Sequence, residues 1–200
     1  MNARSKAQQT KARIIEQAAV VFNQQGYAGT SMSDLMRATG LKKGGIYNHF
    51  GSKDELAVAA FDYAVAQMQG HFRGAMRGKR RAVDRLMAVL CVYERMSEDP
   101  PMVGGCPILN TAVECDDTHP VLQSRARAAV DGWKDLFGRI VEKGVERGEL
   151  RAGVDADEVA TVLISTLEGA VMLSKLYGDD VYLGRALGHL RGYVLSQVLE

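Results

Sequence analysis

Residues 30–56 constrain this chain most, because they encode two short helices joined by a glycine turn and then the start of a third. Ser31 and Asp34 have capping-box spacing, in which a hydroxyl accepts a hydrogen bond from an unpaired helix amide. The acid also favours the positive end of the helix dipole. A short helix is therefore expected to begin near Ser33. Gly40 follows where the chain needs a residue that tolerates a left-handed backbone.

A second short helix is predicted directly after this turn. Its apolar face is formed by Ile46, Tyr47 and Phe50. Its other face carries basic, amide and imidazole groups, from Lys42, Lys43, Asn48 and His49. Ser52 and Glu55 then repeat the capping-box spacing at the head of a long amphipathic helix. This arrangement is one that places a helix in a DNA groove.

The segment resembles the DNA-binding domain of TetR-family (tetracycline-repressor-like) transcriptional regulators. The resemblance rests on Lys43-Gly44, Ile46-Tyr47, His49-Phe50 and the run from Ser52 to Leu56. A helix over residues 10–25, ended by Gly26 and Tyr27, also fits the family. The resemblance implies an all-α fold of about nine helices, with a three-helix helix-turn-helix domain over residues 1–55 and its DNA-binding motif over 31–50. Residues 56–200 would form a helical effector-binding and dimerisation domain.

Two positions depart from the family pattern. Members commonly carry Ser or Thr, which caps the recognition helix, at the position of Lys42, and a bulkier residue at the position of Gly45. The cap is therefore expected to be missing here. Two adjacent glycines, Gly44 and Gly45, cost about 1 kcal/mol each relative to alanine, although they allow close backbone approach to phosphate.

Charge is distributed unevenly along the 200 residues. The first 50 hold seven Lys and Arg against two Asp and Glu, a net charge of +5, whereas the remaining 150 hold 18 against 22, a net charge of −4. A basic N-terminal quarter is typical of a phosphate-binding surface, because Lys and Arg displace condensed counterions from DNA.

Nothing in the sequence indicates export or membrane insertion. The first residues lack an apolar core of the signal-peptide type, and no run of eighteen uninterrupted apolar residues follows. Three cysteines without a CxxC pair are typical of a reducing compartment. A cytoplasmic protein is expected.

The remainder of the chain is predicted to be helical. One helix over about residues 82–96 should end at the run Glu98, Asp99, Pro100 and Pro101. Pro107 should open a short helix with Cys106 at its N-terminus, and Pro120 should open a long helix that ends near Gly148. The last two helices are expected over residues 155–177 and 181–199.

The helix over 155–177 is apolar on nearly every side, with Glu168 and Lys175 as the only charges between residues 159 and 177. Such a helix needs cover on both faces. We expect it to form a symmetric four-helix homodimer interface with the final helix, as the resemblance also implies. The residues assigned to this interface are Gly169, Ala170, Ser174, Leu183, Leu187, Leu190 and Val194. The alternative is a buried monomer core.

Soft and aromatic side chains of the second half could line an apolar effector pocket. The candidates are Met96, Met102, Trp133, Phe137, Met172 and Tyr177. A sharper hypothesis assigns Cys106 as an electrophile or redox sensor with Lys175 beside it, because both regions resemble those of cysteine-sensing members of the family. An inert structural cysteine is the alternative. Cys115 and His119 are expected to flank an exposed turn and not to bind metal.

The sequence therefore predicts a homodimeric repressor that leaves a palindromic double-stranded DNA operator when a small-molecule or electrophile effector binds, with no cofactor and no membrane partner. The residues predicted to contact DNA are Thr30, Ser31, Lys42, Lys43, Gly44, Gly45, Tyr47, Asn48, His49 and Lys53. An effector-responsive activator is one alternative, and a helical enzyme or an interaction module without DNA binding is another. No P-loop, GxSxG, dinucleotide or HExxH motif supports the enzyme.

Overall fold

The computed structural model describes residues 5–96 and 100–199, and this part of the chain is almost entirely helical. Its nine α-helices are α1 (Lys6–Gln25), α2 (Met32–Thr39), α3 (Lys43–Tyr47), α4 (Lys53–Ala75), α5 (Ala82–Glu94), α6 (Pro107–Cys115), α7 (Pro120–Glu146), α8 (Ala156–Tyr177) and α9 (Val181–Tyr193). The predicted all-α class and helix number are confirmed. Glu98 and Asp99, predicted to end α5, lie outside the described residues.

Local sequence signals explain most helix starts. Ser31 caps α2, and Asp155 caps α8 by accepting hydrogen bonds from the amides of Asp157 and Glu158. Pro107 occupies the first turn of α6 with Cys106 at the N-cap, as predicted. The final helix is shorter than predicted, because α9 ends at Tyr193 and continues as the π-helical turn Val194–Val198.

The chain divides into two compact units. Unit 1 comprises Met1–Gln67 and Met102–Arg127, and unit 2 comprises Met68–Pro101 and Ala128–Glu200. Helix α6 and the start of α7 therefore belong to the same unit as the helix-turn-helix. The division at residue 55 that the resemblance implies remains a prediction.

The core of unit 1 brings α1 to α4 together. Ile14, Leu35, Ile46 and Leu56 are at most 1% exposed and form one cluster with Phe50. Removing the ring of a buried Phe typically costs about 3–5 kcal/mol. This cluster therefore fixes how α3 is presented.

The core of unit 2 is built from α5, α7, α8 and α9. Its buried residues include Leu86, Leu90, Trp133, Phe137, Ile140, Leu163, Leu167, Leu187 and Leu190. Gly144 permits a close approach, since an added Cβ would lie 2.6 Å from the Leu150 side chain and 2.7 Å from Ala82 Cβ. Helix α8 is long and apolar enough to cross a membrane by length and composition alone, a test that core helices of soluble proteins also pass.

Candidate DNA-binding interface

The first helix of the helix-turn-helix begins with a complete capping box. Ser31 Oγ accepts a hydrogen bond from the Asp34 amide at 3.2 Å, and an Asp34 carboxylate oxygen accepts one from the Ser31 amide at 2.9 Å. Hydrogen bonds from the side chain and the backbone of Ser31 hold the pKa of Asp34 below its ordinary value. The helix ends at Gly40, whose φ of 67° is left-handed. The predicted turn is confirmed.

Helix α3, which follows the turn, is only five residues long. Lys42 stands at its N-cap and makes no side-chain capping bond, so the cap is missing as predicted. Ile46 is 1% exposed and Phe50 is 2% exposed, and they anchor the helix in the core of unit 1. This leaves an outer face that carries a mixed basic and polar surface. The exposed residues of that face are Lys42, Lys43, Gly44, Tyr47 and Asn48, with Gly45 and His49 partly exposed.

Packing does not require glycine at either position of the Gly44-Gly45 pair. A Cβ added at Gly44 would meet no described atom within 4 Å outside its own helix and its chain neighbours. One added at Gly45 would lie 3.5 Å from Leu41 Cβ, an ordinary van der Waals contact. The pair therefore leaves the α3 backbone accessible from outside. The Lys43 ammonium lies 5.7 Å from the centroid of the Tyr47 ring on the same face.

Two predicted contact residues have other roles in the structure. Thr30 is 1% exposed, and its hydroxyl donates a hydrogen bond to the Gly26 carbonyl at 2.6 Å. The Lys53 ammonium donates to the Tyr27 carbonyl at 2.5 Å and lies 4.3 Å from the centroid of the Tyr27 ring. Both side chains hold the segment between α1 and α2, which the sequence analysis did not anticipate.

Tyr27 is the centre of a junction within unit 1. Its hydroxyl donates a hydrogen bond to Asp54, and burial together with this bond raises the pKa of Tyr27 to about 12. The His119 and Tyr27 rings pack edge to face, with centroids 4.6 Å apart. His119 Nδ1 also accepts a hydrogen bond from the Leu122 amide at 3.2 Å, which caps α7. The turn beside His119 is exposed as predicted, but His119 itself packs inward.

Helix α6 contributes Glu114 to the contacts around Tyr27. The two carboxylate oxygens of Glu114 accept hydrogen bonds from the consecutive amides of Tyr27 and Ala28, each at 2.8 Å. A Cβ at Gly26 would approach this carboxylate to 2.7 Å, and the φ of Gly26 is +76°, so the position requires glycine. We name this arrangement, formed by Tyr27, Lys53, Asp54, Glu114 and His119, the Tyr27 junction.

A pair of asparagines makes a second connection within the same unit. The Asn110 side-chain amide donates to the Asn23 carbonyl at 3.1 Å, to Asn23 Oδ1 at 3.0 Å and to the Gly104 carbonyl at 3.0 Å. The Asn23 amide donates in turn to the carbonyls of Val103 and Gly105. These bonds attach the loop before α6 to the end of α1. A cavity of about 30 Å³ beside Tyr27, Asn110 and Cys115 has room for one water molecule.

The predicted effector residues are distributed over both units. Met102 belongs to the core of unit 1, whereas Trp133 and Phe137 are each 1% exposed in the core of unit 2. Met172 and Tyr177 are 49% and 63% exposed. Met96 is partly exposed. Their role as an effector pocket therefore remains a prediction.

The cysteines differ in accessibility. Cys106 is fully buried at the head of α6, and Cys115 is 1% exposed. Burial, with smaller effects from Glu114 and Asp116, raises the pKa of the Cys115 thiol, which disfavours the thiolate. Cys91 is the exposed thiol. Lys175 is exposed on α8. Among the described residues no group of three or more His, Cys, Asp or Glu side chains could hold a metal ion.

The structure corrects the prediction of which residues of the last two helices form the dimer interface. Leu183, Leu187, Leu190 and Val194 are at most 5% exposed within unit 2, so their assignment to a surface between subunits was wrong. Ala170 and Ser174 are likewise buried, and Ser174 Oγ accepts a hydrogen bond from the Leu183 amide. The exposed residues of the two helices instead include Thr161, Ser165, Met172 and Leu176 on α8, and Gly184, Arg185, Gly188, His189 and Gly192 on α9.

Known proteins share this architecture. A family model described as "Bacterial regulatory proteins, tetR family" matches residues 14–60, and one described as "Tetracyclin repressor-like, C-terminal domain" matches residues 82–190. A TetR transcriptional regulator from Chloroflexus aurantiacus is 49% identical and has a TM-score of 0.94, with 97% of this chain and 98% of that chain covered. A TetR-family regulator from Cytophaga hutchinsonii is 34% identical with a TM-score of 0.89, and 97% of each chain is covered.

A relative from Mycobacterium sp. (strain GP1), named HTH-type transcriptional repressor DhaR, is 24% identical over 82% of this chain and 81% of its own length. The helix-turn-helix geometry and these matches define a DNA-binding transcriptional regulator. Its second unit is helical. The chain belongs to the TetR family. It is accordingly a regulator and not an enzyme.

Proposed function

We propose that this regulator is a homodimeric repressor that binds a palindromic operator and leaves it when a small-molecule effector binds. The observation that carries the proposal is the exposed basic and polar face of α3, held by the buried side chains of Ile46 and Phe50. The repressor name of the Mycobacterium relative supports the direction of regulation. A DNA-bound regulator of this kind acts in the cytoplasm. An activator is the alternative, and it would raise transcription from a reporter where a repressor lowers it.

The proposed contacts to DNA are assigned to the exposed and partly exposed residues of α3 and of the start of α2. Lys42 and Lys43 contact phosphates, and Ser31 does so from the N-terminus of α2. Gly44 gives the sugar-phosphate backbone close access to the α3 main chain. Tyr47 and His49 contact the DNA backbone, while Asn48 and the main chain at Gly45 approach base edges. Thr30 and Lys53 position these groups from behind, through the Gly26 and Tyr27 carbonyls.

The proposed dimer uses the outer faces of α8 and α9. Gly184, Gly188 and Gly192 recur every four residues on α9, and a Cβ at each would meet no described atom within 4 Å outside its own helix and its chain neighbours. Small side chains on that face allow the backbone of a partner helix to come close, while Met172 and Leu176 supply apolar area on α8. Two copies related by a two-fold axis would present two α3 helices to successive major grooves, which requires a palindromic site.

DNA binding is tested with the intergenic DNA upstream of the protein's own gene, by footprinting and by salt titration of affinity. We expect protection of an inverted repeat. Lys43→Ala should weaken binding to all sequences and reduce the slope of log affinity against log salt by about one. Lys79→Ala, an exposed lysine of unit 2, is the matched control and should leave the slope unchanged. Absence of binding to any duplex at low salt would instead favour an interaction module that does not bind DNA.

The effector is proposed to act on unit 2 or on Cys106. For the sensor hypothesis, the thiol of Cys106 reacts with an electrophile such as N-ethylmaleimide. Because Cys91 is exposed, labelling is measured in a Cys91→Ser background, with and without Cys106→Ser. Loss of labelling and of DNA release with Cys106→Ser supports the sensor. Unchanged labelling removes it, and the burial of Cys106 weighs towards that result.

A further inference from the structure

Two lysine ammonium groups lie against aromatic rings at α3. The Lys43 ammonium is 5.7 Å from the centroid of the Tyr47 ring, and both residues belong to α3. The Lys11 ammonium is 4.9 Å from the centroid of the Phe50 ring, three residues after the end of the same helix. Lys11 comes from α1. A helix outside the helix-turn-helix therefore places a positive charge at the flank of α3.

The core of unit 1 fixes the ring that Lys11 contacts. Phe50 is 2% exposed, and its amide donates a hydrogen bond to the Ile46 carbonyl at 3.2 Å. Lys11 is itself exposed, one turn before the fully buried Ile14 of α1. A cation is attracted to the face of an aromatic ring, so the Phe50 ring restricts where the ammonium group lies. The charge is thus held near His49, the residue before Phe50.

The chain does not neutralise this charge. Arg37 pairs with Asp34 at 2.8 Å, and the Lys53 ammonium donates to the Tyr27 carbonyl. Within residues 5–96 and 100–199, by contrast, no carboxylate forms an ion pair with Lys11. An aromatic ring attracts a cation through its quadrupole but carries no net charge. The Lys11 ammonium therefore keeps its full charge at the surface, where an anion can approach it.

We propose that Lys11 is a further DNA-binding residue, whose ammonium group contacts a backbone phosphate beside the strand that α3 contacts. The inference rests on the proposed function, in which Lys42 and Lys43 bind phosphates from α3. A contact of this kind positions the protein on DNA and adds affinity without reading base sequence. Because the Phe50 ring already restricts the Lys11 side chain, this lysine loses less conformational freedom on binding than a lysine that moves freely.

The surroundings of Lys11 favour a phosphate of a nucleic acid over a free anion. Its neighbours on the same face of α1 are Gln8, Ala12 and Ile15, of which the last two are apolar. The Gln8 side-chain oxygen already accepts a hydrogen bond from the Ser5 amide at 2.9 Å. A free anion would therefore find a single charged donor. A DNA strand is held by many other contacts, so one more ammonium group adds to its binding.

Lys11→Met tests the charge, because it removes the ammonium group and keeps an apolar side chain over the Phe50 ring. Affinity is measured against salt concentration on the upstream DNA and on a random-sequence duplex of the same length. We expect the slope of log affinity against log salt to fall by about one for each bound subunit on both duplexes. Affinity at 0.1 M salt should fall about five- to tenfold for each subunit. Lys11→Arg keeps the charge and should restore both values.

Arg13→Gln is the matched control. Arg13 is an exposed cation of the same helix, and two residues turn an α-helix by about 200°, so it lies on the opposite side of α1 from Lys11. This variant loses the same charge and should keep the wild-type slope. Thermal denaturation establishes that all variants are folded. Equal slopes of Lys11→Met and wild type overturn the proposal, as do equal reductions in Lys11→Met and Arg13→Gln, which would make net charge the cause.

Lys43→Ala distinguishes this inference from the proposed function. A lower slope in Lys43→Ala but not in Lys11→Met keeps the proposed function and overturns the role of Lys11. Lower slopes in both variants support both. Ethylation interference then locates the contact, since ethylation of one phosphate should weaken binding of the wild type and not of Lys11→Met. An identical interference pattern for these two proteins contradicts the inference. Failure of the wild type to bind either duplex contradicts the proposed function and the inference with it.

Discussion

Two buried or half-buried glutamates, Glu114 in unit 1 and Glu168 in unit 2, have different surroundings. The Glu114 carboxylate receives two backbone amides at 2.8 Å each, an arrangement that uses both oxygens for local structure. Glu168 receives a hydrogen bond from the Tyr93 hydroxyl at 2.9 Å, and the nearby Trp133 indole N–H of the same aromatic cluster has no hydrogen-bond partner among the described residues. We expect the Glu114 carboxylate to stabilise unit 1 through its hydrogen bonds, and the desolvation of the Glu168 carboxylate to oppose the folding of unit 2. Removing the charge should therefore have opposite effects at the two positions.

The largest effect is expected from Glu114→Gln. Its amide group would face a backbone N–H in place of a carboxylate oxygen, so one charge-assisted hydrogen bond is lost and the other weakens. The free energy of unfolding should fall by about 2 kcal/mol, measured by urea denaturation. Asp117→Asn, in the exposed turn after α6, is the control. Equal stability of the two variants would mean that the Glu114 bonds contribute nothing net.

Glu168→Gln should shift stability in the other direction. Replacing a buried charge by a neutral isostere that keeps the Tyr93 bond relieves the desolvation of the carboxylate. We expect the free energy of unfolding to rise by about 1 kcal/mol, while the control Glu142→Gln, at an exposed position of α7, stays within about 0.5 kcal/mol of the wild type. The measurement is again urea denaturation. A fall in stability would indicate that Glu168 is a structural acid like Glu114.

Ser31→Ala extends the comparison to the helix-turn-helix itself. The substitution removes the hydroxyl that accepts the Asp34 amide and should destabilise the protein by about 0.5–1 kcal/mol, measured by thermal denaturation. Ser124→Ala, at an exposed position within α7, is the matched control. Equal melting temperatures of the two variants would mean that water replaces the capping hydrogen bond without loss of stability.

The smallest effect concerns pH. Because the pKa of Tyr27 is raised from 10.0 to about 12, the folded protein holds the proton that the unfolded chain releases above pH 10. The stability from this shift is complete below pH 10 and is lost as the pH rises towards 12. Tyr27→Phe should therefore lose less stability than the wild type between about pH 10 and pH 12, the interval between these two pKa values. Tyr47→Phe, which alters an exposed ring, should follow the wild type.

Local signals in the sequence predicted much of the fold. The capping residues Ser31 and Asp155, the helix-opening Pro107 and the left-handed Gly40 each act on their immediate neighbours, so spacing alone identified them. The missing cap at Lys42 was predicted from the family resemblance, because members commonly carry a capping Ser or Thr at this position.

Contacts distant in sequence could not be predicted in this way. Glu114 bonds residues 86 and 87 positions earlier, and Lys53 bonds a carbonyl 26 positions earlier. A basic residue at the start of a helix, such as Lys53, can either contact a phosphate or bond a backbone carbonyl. The sequence does not distinguish these two roles. Periodicity likewise identified the apolar positions of α9 but not which partner covers them, because a core and a subunit interface favour the same side chains. The sequence alone does not distinguish Glu168 from Lys175, the other charged residue between positions 159 and 177.

The shortness of α3 has a consequence for the energetics of binding. A five-residue helix with two glycines has little intrinsic stability, and its order derives from one buried side. Its outer backbone should lose conformational freedom when it meets a duplex, so association should carry an entropic penalty that enthalpy offsets. The same flexibility should allow α3 to bind more than one operator sequence. A main chain that adjusts by small torsional changes can fit operators that differ in sequence, where a stiffer helix would discriminate among them.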